Sequence, residues 1–245
     1  MEWQDEGIVL SSRPHGENAA VVTLLTSEQG RHAGLVPGGQ GRAARPVLQP
    51  GNRVQASWRA RLVEHLGHYR LDLIGAPAAF WLDNPDVLAI IASACAVTEA
   101  SLPERQAMPG VYAGLATLLS LRDEALWPPV YVKWEITLLR TLGYGLDLSR
   151  CAVTGESEDL AYVSPKTGHA VSRKAGEPYR DKLFPIPAFL LGGETWDAES
   201  IRQGLAMTGH FLSRYVFANP QSRLLIPYDG ALPQARQRLL DFYRS

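Results

Sequence analysis

Apolar residues repeat one way before residue 80 of this chain and another way after it, and that single change of period divides the fold. Before it lie five short runs: Gly7-Ile8-Val9-Leu10, Val21 to Thr26, Ala33-Gly34-Leu35-Val36, Val54 to Leu62 with alternating character, and Tyr69 to Ile74. Five strands at near-regular spacing predict a small β-barrel over residues 1–80. Between the third and fourth runs, Pro37-Gly38-Gly39-Gln40-Gly41-Arg42 has the composition of a mobile, exposed loop, and Gln49-Pro50-Gly51-Asn52 that of a turn.

Beyond residue 80 the spacing is helical. Asp83-Asn84-Pro85-Asp86 supplies a cap and a first-turn proline for a helix reaching about Leu102. Further helices are predicted over about Met108 to Leu121, from Pro128 or Pro129 to a stop at Gly143, from Asp197 through Leu205, Phe211 and Tyr215, and from Gln234 to Tyr243. Residues 150–182 break the pattern, because Tyr162-Val163 and Ala170-Val171 read as two short strands around the turn Ser164-Pro165-Lys166-Thr167-Gly168. The expected class is α+β: an N-terminal barrel (1–80), then an all-α domain (81–245) with a small β insertion at about 150–182.

Charge decides which partners such a chain can take. Twenty-four Lys plus Arg against 25 Asp plus Glu give a net charge of −1, which excludes coating of nucleic acid by bulk charge. Any anion site is local. Arg31, Arg42, Arg45, Arg53, Arg59 and Arg61 lie between residues 29 and 63 with no acidic residue among them, so that window carries +6. Glu2, Asp5, Glu6, Glu17, Glu28, Glu64 and Asp72 flank it. The segregation suits either an anion-binding face or the solvated surface of a barrel. Two cysteines with no Cys-x-x-Cys pair leave no disulfide framework and point to a reduced, cytosolic compartment. An acidic N-terminus and short apolar runs predict a chain neither exported nor membrane-embedded.

Catalytic patterns are absent. The chain has no phosphate-binding Gly-x-x-x-x-Gly-Lys-Ser/Thr loop, no Gly-x-Ser-x-Gly elbow and no His-Glu-x-x-His. His65 and His68 are the only closely spaced histidines, and a strand or turn there would separate them. Cys151 with His169 lacks an orienting acid and an oxyanion donor, so a structural cysteine is expected. A non-enzyme follows, with a hydrolase or metal enzyme kept as the third class behind a nucleic-acid binder and a protein adaptor.

Several segments, taken in order, carry a resemblance. Glu6-Gly7-Ile8-Val9-Leu10-Ser11-Ser12-Arg13-Pro14-His15-Gly16-Glu17, Thr26-Ser27-Glu28-Gln29-Gly30-Arg31 and Leu48-Gln49-Pro50-Gly51 resemble the RecO family of DNA repair proteins. So do Lys133 to Leu139 ending in Leu142-Gly143-Tyr144-Gly145, then Leu148-Ser149-Arg150-Cys151 and Tyr162 to Gly168. The resemblance covers most of residues 1–190. It implies an N-terminal OB-fold before the helical domain, in a recombination mediator that binds single- and double-stranded DNA and anneals complementary strands. It also implies RecR and the C-terminal tail of single-stranded DNA-binding protein as partners, RecA and RecF indirectly, no membrane, and a cytoplasmic, nucleoid-associated location. Arg13, Arg31, Arg42, Arg45, Arg53, Arg59 and Arg61 are then the expected DNA contacts, made to phosphates rather than bases. Trp58 serves either the core or base stacking, and Tyr69 is the other aromatic candidate.

Two departures from the family pattern bear on this expectation. Residues 37–41 lack the dense basic loop of many relatives, which shifts contact onto Arg42 and Arg45. Some relatives carry a four-cysteine zinc site in the insertion; here Thr154 and Ser172 stand in the regions of the other thiols, so the insertion is a degenerate zinc-finger-like unit without metal or other cofactor. For the acidic, phenylalanine-ended tail, Lys133 and Arg140 are expected to supply cations and Leu119 and Leu121 apolar walls. The alternative function is an adaptor whose barrel docks a protein instead of DNA.

Overall fold

The computed structural model describes residues 1–218 and 231–243. The helix expected to start at Gln234 falls within them; residues 219–230, 244 and 245 of the expected helical domain lie outside.

Five strands close a barrel in the order β1-β2-β3-β5-β4: β1 (Glu2–His15), β2 (Ala19–Thr26), β3 (Gly30–Val36), β4 (Arg53–Arg59) and β5 (His68–Gly75). β1 pairs antiparallel with both β2 and β4, and β3 meets β5 in parallel, which is the strand order of an OB-fold. β1 is 14 residues long, whereas the apolar run marks only Gly7 to Leu10. A strand shared by two neighbours must be long, and an irregularity between Val9 and Ser11 bends it around the barrel. Val9, Val22, Leu24, Val54, Ala56, Trp58 and Tyr69 fill the interior.

The helical domain follows after α1 (Pro77–Phe80), with α2 (Pro85–Ser101), α3 (Pro109–Leu119) and α4 (Trp127–Thr141). Asn84 caps α2 by accepting from the Val87 N–H at 3.1 Å, as the sequence signal requires. Next come α5 (Arg173–Gly176), then α6 (Ala198–Phe211), which opens on an Asp197/Ser200 capping box and continues as a π-helical turn over Leu212–Phe217. The last helix is α7 (Gln234–Phe242). The insertion forms β6 (Leu160–Val163) and β7 (Ala170–Ser172), joined by a third strand, β8 (Phe184–Pro185), in the order β7-β6-β8. Two residues, one of them proline, leave no periodic trace of β8 in the sequence.

Barrel and helices share a core. Ile8, Leu10 and Leu25 belong to the same apolar cluster as Ile90, Ile91 and Val97 of α2. Glu99 of α2 adds polar ties, accepting from the hydroxyls of Ser11 at 2.8 Å and Thr23 at 3.1 Å. This seam fixes which barrel faces stay open.

Candidate nucleic-acid interface

The arginines that stand free of acids along the sequence do not all stand free in space. Register between β1 and β4 sets Glu2 opposite Arg59, and Glu6 next to Arg53. Arg59 binds Glu2 at 2.8 Å and Arg53 binds Glu6 at 2.8 Å, so the displaced acids return across the strands. Both pairs are exposed, where such pairs contribute at most about 1 kcal/mol. A phosphate can replace either carboxylate.

Arg31 corrects the expectation. Its side chain is only 9% exposed, its Nη1 lies 3.6 Å from Glu104, and the backbone after α2 pairs with it, the Arg105 N–H donating to its carbonyl at 2.7 Å. Burial lowers its pKa, against the pull of Glu104 and Glu99. It cannot reach a polynucleotide backbone. Arg13 stays exposed but pairs with Glu99 at 3.3 Å. Together these contacts show that α2 and the segment after it cover the β2–β3 face, which OB-folds commonly offer to oligonucleotides.

Arg42, Arg45 and Arg61 remain. Among the described residues no ion pair engages any of them. Arg42 and Arg45 sit on residues 37–52, which form a hydrogen-bonded run of turns, not the mobile loop that the glycines suggest. The Gln40 side-chain amide donates to the carbonyls of Gly16 (3.0 Å) and Ala19 (2.9 Å), that of Asn52 donates to Pro46 (2.7 Å) and Val47 (3.1 Å), and Leu48 is buried. Two cations are thus presented on a pinned scaffold, which lowers the entropy cost of binding.

The aromatic candidates belong to the core. Trp58 and Tyr69 are each 3% exposed; Trp58 donates to the Leu66 carbonyl at 2.9 Å, and the Tyr69 hydroxyl lies 2.8 Å from His32 Nδ1. Neither can stack on a base. Trp3, which sequence reasoning did not single out, lies stacked on Trp58 with centroids 5.8 Å apart, opposite it in register. Burial, helped by the Arg105 charge, pushes the His32 imidazole down to about 4. Its folded pKa is therefore below the ordinary 6.5, so folding favours the neutral ring. That contribution is complete above pH 6.5 and is lost as pH falls from 6.5 towards 4, a difference of up to about 3 kcal/mol. Urea titrations across this window should show a shallower loss of stability in His32→Gln than in the parent; parallel curves would reject the assignment.

On the helical domain, Lys133 and Arg140 are both exposed on one side of α4. The expected apolar walls are not beside both. α3 and α4 run antiparallel, since a methyl group built on Gly110 would lie 3.7 Å from Thr141 and one on Gly114 3.7 Å from Trp134. Leu119 is therefore about 14 Å along α3 from the Arg140 end, is itself buried, and lines a cavity of about 290 Å³ with Arg53, Ile74 and Arg122. Leu121 is half-buried. The four residues do not form one pocket.

In the insertion, the Cys151 sulfur accepts from the N–H groups of Ser172 (3.2 Å) and Thr154 (3.4 Å) and hydrogen-bonds with the Ser172 hydroxyl at 3.4 Å. Burial opposes its ionisation, but these bonds prevail and hold the thiol down at about 6. Among the described residues no three His, Cys, Asp or Glu side chains cluster as metal ligands. His68 lies on β5 and His65 in the loop before it, where its carbonyl accepts from Arg105. No helix of the described residues is long and apolar enough to cross a membrane.

An OB-fold with two pinned arginines, unpaired among the described residues, seated on a helical domain that closes its β2–β3 face, defines a class of two-domain barrel proteins. Residues 1–75 match the model of the recombination protein O N-terminal domain and residues 82–224 that of its C-terminal domain. DNA repair protein RecO of Rhodospirillum centenum is 51% identical over 247 residues, covering 100% of this chain and 96% of that protein. Those of Rhodospirillum rubrum (46%, covering 100% and 97%) and Caulobacter vibrioides (46%, covering 98% and 97%) are similar over nearly their whole lengths. The chain belongs to the RecO family of DNA repair proteins.

Proposed function

We propose that the protein is a recombination mediator that binds single- and double-stranded DNA through phosphates, anneals complementary strands, and with RecR helps load RecA onto DNA coated by single-stranded DNA-binding protein. The observation that carries the reading is the pair Arg42 and Arg45, exposed, without acidic partners among the described residues and fixed on a hydrogen-bonded loop of an OB-fold. Phosphate contacts without base-stacking rings give binding that is nearly independent of sequence. On this reading the protein acts without catalysing a reaction and needs no zinc. The acidic tail of single-stranded DNA-binding protein meets the cations Lys133 and Arg140 of α4, with apolar contacts other than Leu119 and Leu121.

Salt titration tests the DNA reading. If about six phosphates of a single strand are neutralised, log K should fall with log salt at a slope of about −4. Arg42→Ala with Arg45→Ala should weaken every sequence alike and make the slope shallower by about 1.4, the share of two contacts. Unchanged affinity and slope would remove the loop from the interface. An absence of binding by the parent protein would favour the adaptor.

A further inference from the structure

Three cationic side chains, Arg59, Arg61 and Arg70, lie around the end of β4 away from Arg53, the residue into which the Arg42/Arg45 loop leads. Pairing among β1, β4 and β5 sets Glu2, Arg59 and His68 in one row and Gln4, Ser57 and Arg70 in the next. The row between them, Trp3, Trp58 and Tyr69, turns inward, because alternate residues of a strand share a face. The outward rows, with Trp3, Trp58 and Tyr69 between them, line a depression of about 690 Å³, and an adjoining one of about 600 Å³, walled by Met1, Glu2, Arg59, Ala60, Arg61 and His68, continues it. The result is a single trough.

Its charge is available. The side chains of Arg59 and Arg70 are 79% and 83% exposed, Arg61 is exposed and unpaired among the described residues, and the N-terminal amine is held beside them on the Ala60 carbonyl at 2.7 Å. Glu2 is the acid within the trough, exposed and replaceable, and Asp72 touches Arg70 only at 3.8 Å. The floor is rigid: Trp3, His32, Trp58 and Tyr69 pack ring against ring beneath it, and Arg105 donates to the carbonyls of Val63 and His65 to hold the adjoining loop. Gln4 and Ser57 add neutral donors between the cations; the outward rows carry no apolar side chain, and the apolar contribution to the walls comes from the exposed Met1 and the half-buried Ala60 and Trp3. Such a surface suits a flexible polyanion more than an apolar-anchored protein segment.

We propose that this trough is a second single-strand surface, holding phosphodiester groups on Arg59, Arg61 and Arg70 independently of the Arg42/Arg45 loop. The proposal rests on the DNA reading above. β4 runs about 20 Å from Arg53, which follows the Arg42/Arg45 loop, to Arg59 in the trough, and the row Glu6, Gln55 and Asp72 crosses it between those ends with two acids. The acids interrupt any continuous cationic path along this face. Two short strands can therefore be held on one barrel at once.

Stoichiometry decides it, measured on the full chain with labelled oligothymidylate of about six nucleotides, near the lower end of an OB-fold footprint. The parent should bind two strands per chain and give energy transfer between donor- and acceptor-labelled strands. Arg59→Ala/Arg61→Ala/Arg70→Ala and Arg42→Ala/Arg45→Ala should each bind one, with transfer abolished and the melting temperature unchanged. One strand per parent chain, or two retained by the triple variant, overturns the second surface while leaving the DNA reading intact. No strand bound by the parent overturns both. Equal displacement of a strand from the trough by an acidic peptide of matched charge overturns its assignment to nucleic acid.

Discussion

Arg236→Met should destabilise the protein by about 3–5 kcal/mol, because it strips the partner from a carboxylate that has no access to water. Arg236 of α7 and Glu135 of α4 are both 0% exposed, joined through Nε to Oε1 at 2.6 Å and Nη2 to Oε2 at 3.0 Å. The guanidinium also donates to the Leu205 carbonyl at 2.7 Å, while Glu135 accepts from the hydroxyls of Thr208 and, at 2.9 Å, Tyr131, which in turn meets Ser93 at 2.7 Å. Burial lowers the Arg236 pKa, but the Glu135 charge outweighs it, and the net shift is upward. One network thus ties α2, α4, α6 and α7. The loss is a large part of a typical 5–15 kcal/mol of total stability, and a drop in melting temperature of about 10 °C should report it. Glu135→Met with Arg236→Met should recover most of the loss, since a matched apolar pair buries no charge. A double variant no more stable than the single would show that the hydrogen bonds to Leu205, Thr208 and Tyr131, not the uncompensated charge, carry the effect.

That network was invisible in the sequence for a physical reason. Arg236 stands in Gln234-Ala235-Arg236-Gln237-Arg238, a polar stretch that reads as a solvated helix face, and its partner is 101 positions away. Legible features were local ones: the change from strand to helix period near residue 80, the Asn84-Pro85 cap, and the two insertion strands Tyr162-Val163 and Ala170-Val171, all set by neighbouring residues. The acid-free arginine window was legible as composition but not as charge. Its neutralisation at Arg53 and Arg59 depends on the register between β1 and β4, and the withdrawal of Arg31 depends on the non-helical segment after α2, some seventy residues later in the chain. Nonlocal pairing sets the electrostatics of a barrel, so a window of sequence cannot give its surface potential. The loop arginines escaped this effect because turns have no neighbouring strand to supply acids.

Gly30→Ala should be the most damaging single-methyl change in the barrel, costing about 3 kcal/mol or more from a left-handed backbone and an overpacked contact together. Gly30 closes the hairpin between β2 and β3 at φ +67°, a conformation that side chains rarely adopt. The turn is tightly specified: Asp5 accepts from the Ser27 hydroxyl at 2.6 Å and the Glu28 N–H at 2.8 Å, and the Thr26 hydroxyl accepts from the Gln29 N–H at 3.0 Å. A Cβ on Gly30 would lie 1.9 Å from the Gln106 carbonyl oxygen, so backbone, not a flexible side chain, must yield. The same displacement would loosen the Arg105 N–H bond to the Arg31 carbonyl and, with it, the segment that covers the β2–β3 face. This gives Thr26-Ser27-Glu28-Gln29-Gly30-Arg31 a structural meaning: it is the corner on which the helical domain seats the barrel. Thermal unfolding of Gly30→Ala should therefore begin about 10 °C lower, and limited proteolysis should cut first within residues 102–108. Gly38→Ala is the control, because φ there is also positive, at +69°, but no atom lies within 4 Å of the added methyl. Equal losses for the two variants would assign the whole cost to backbone conformation and none to the seam between the domains.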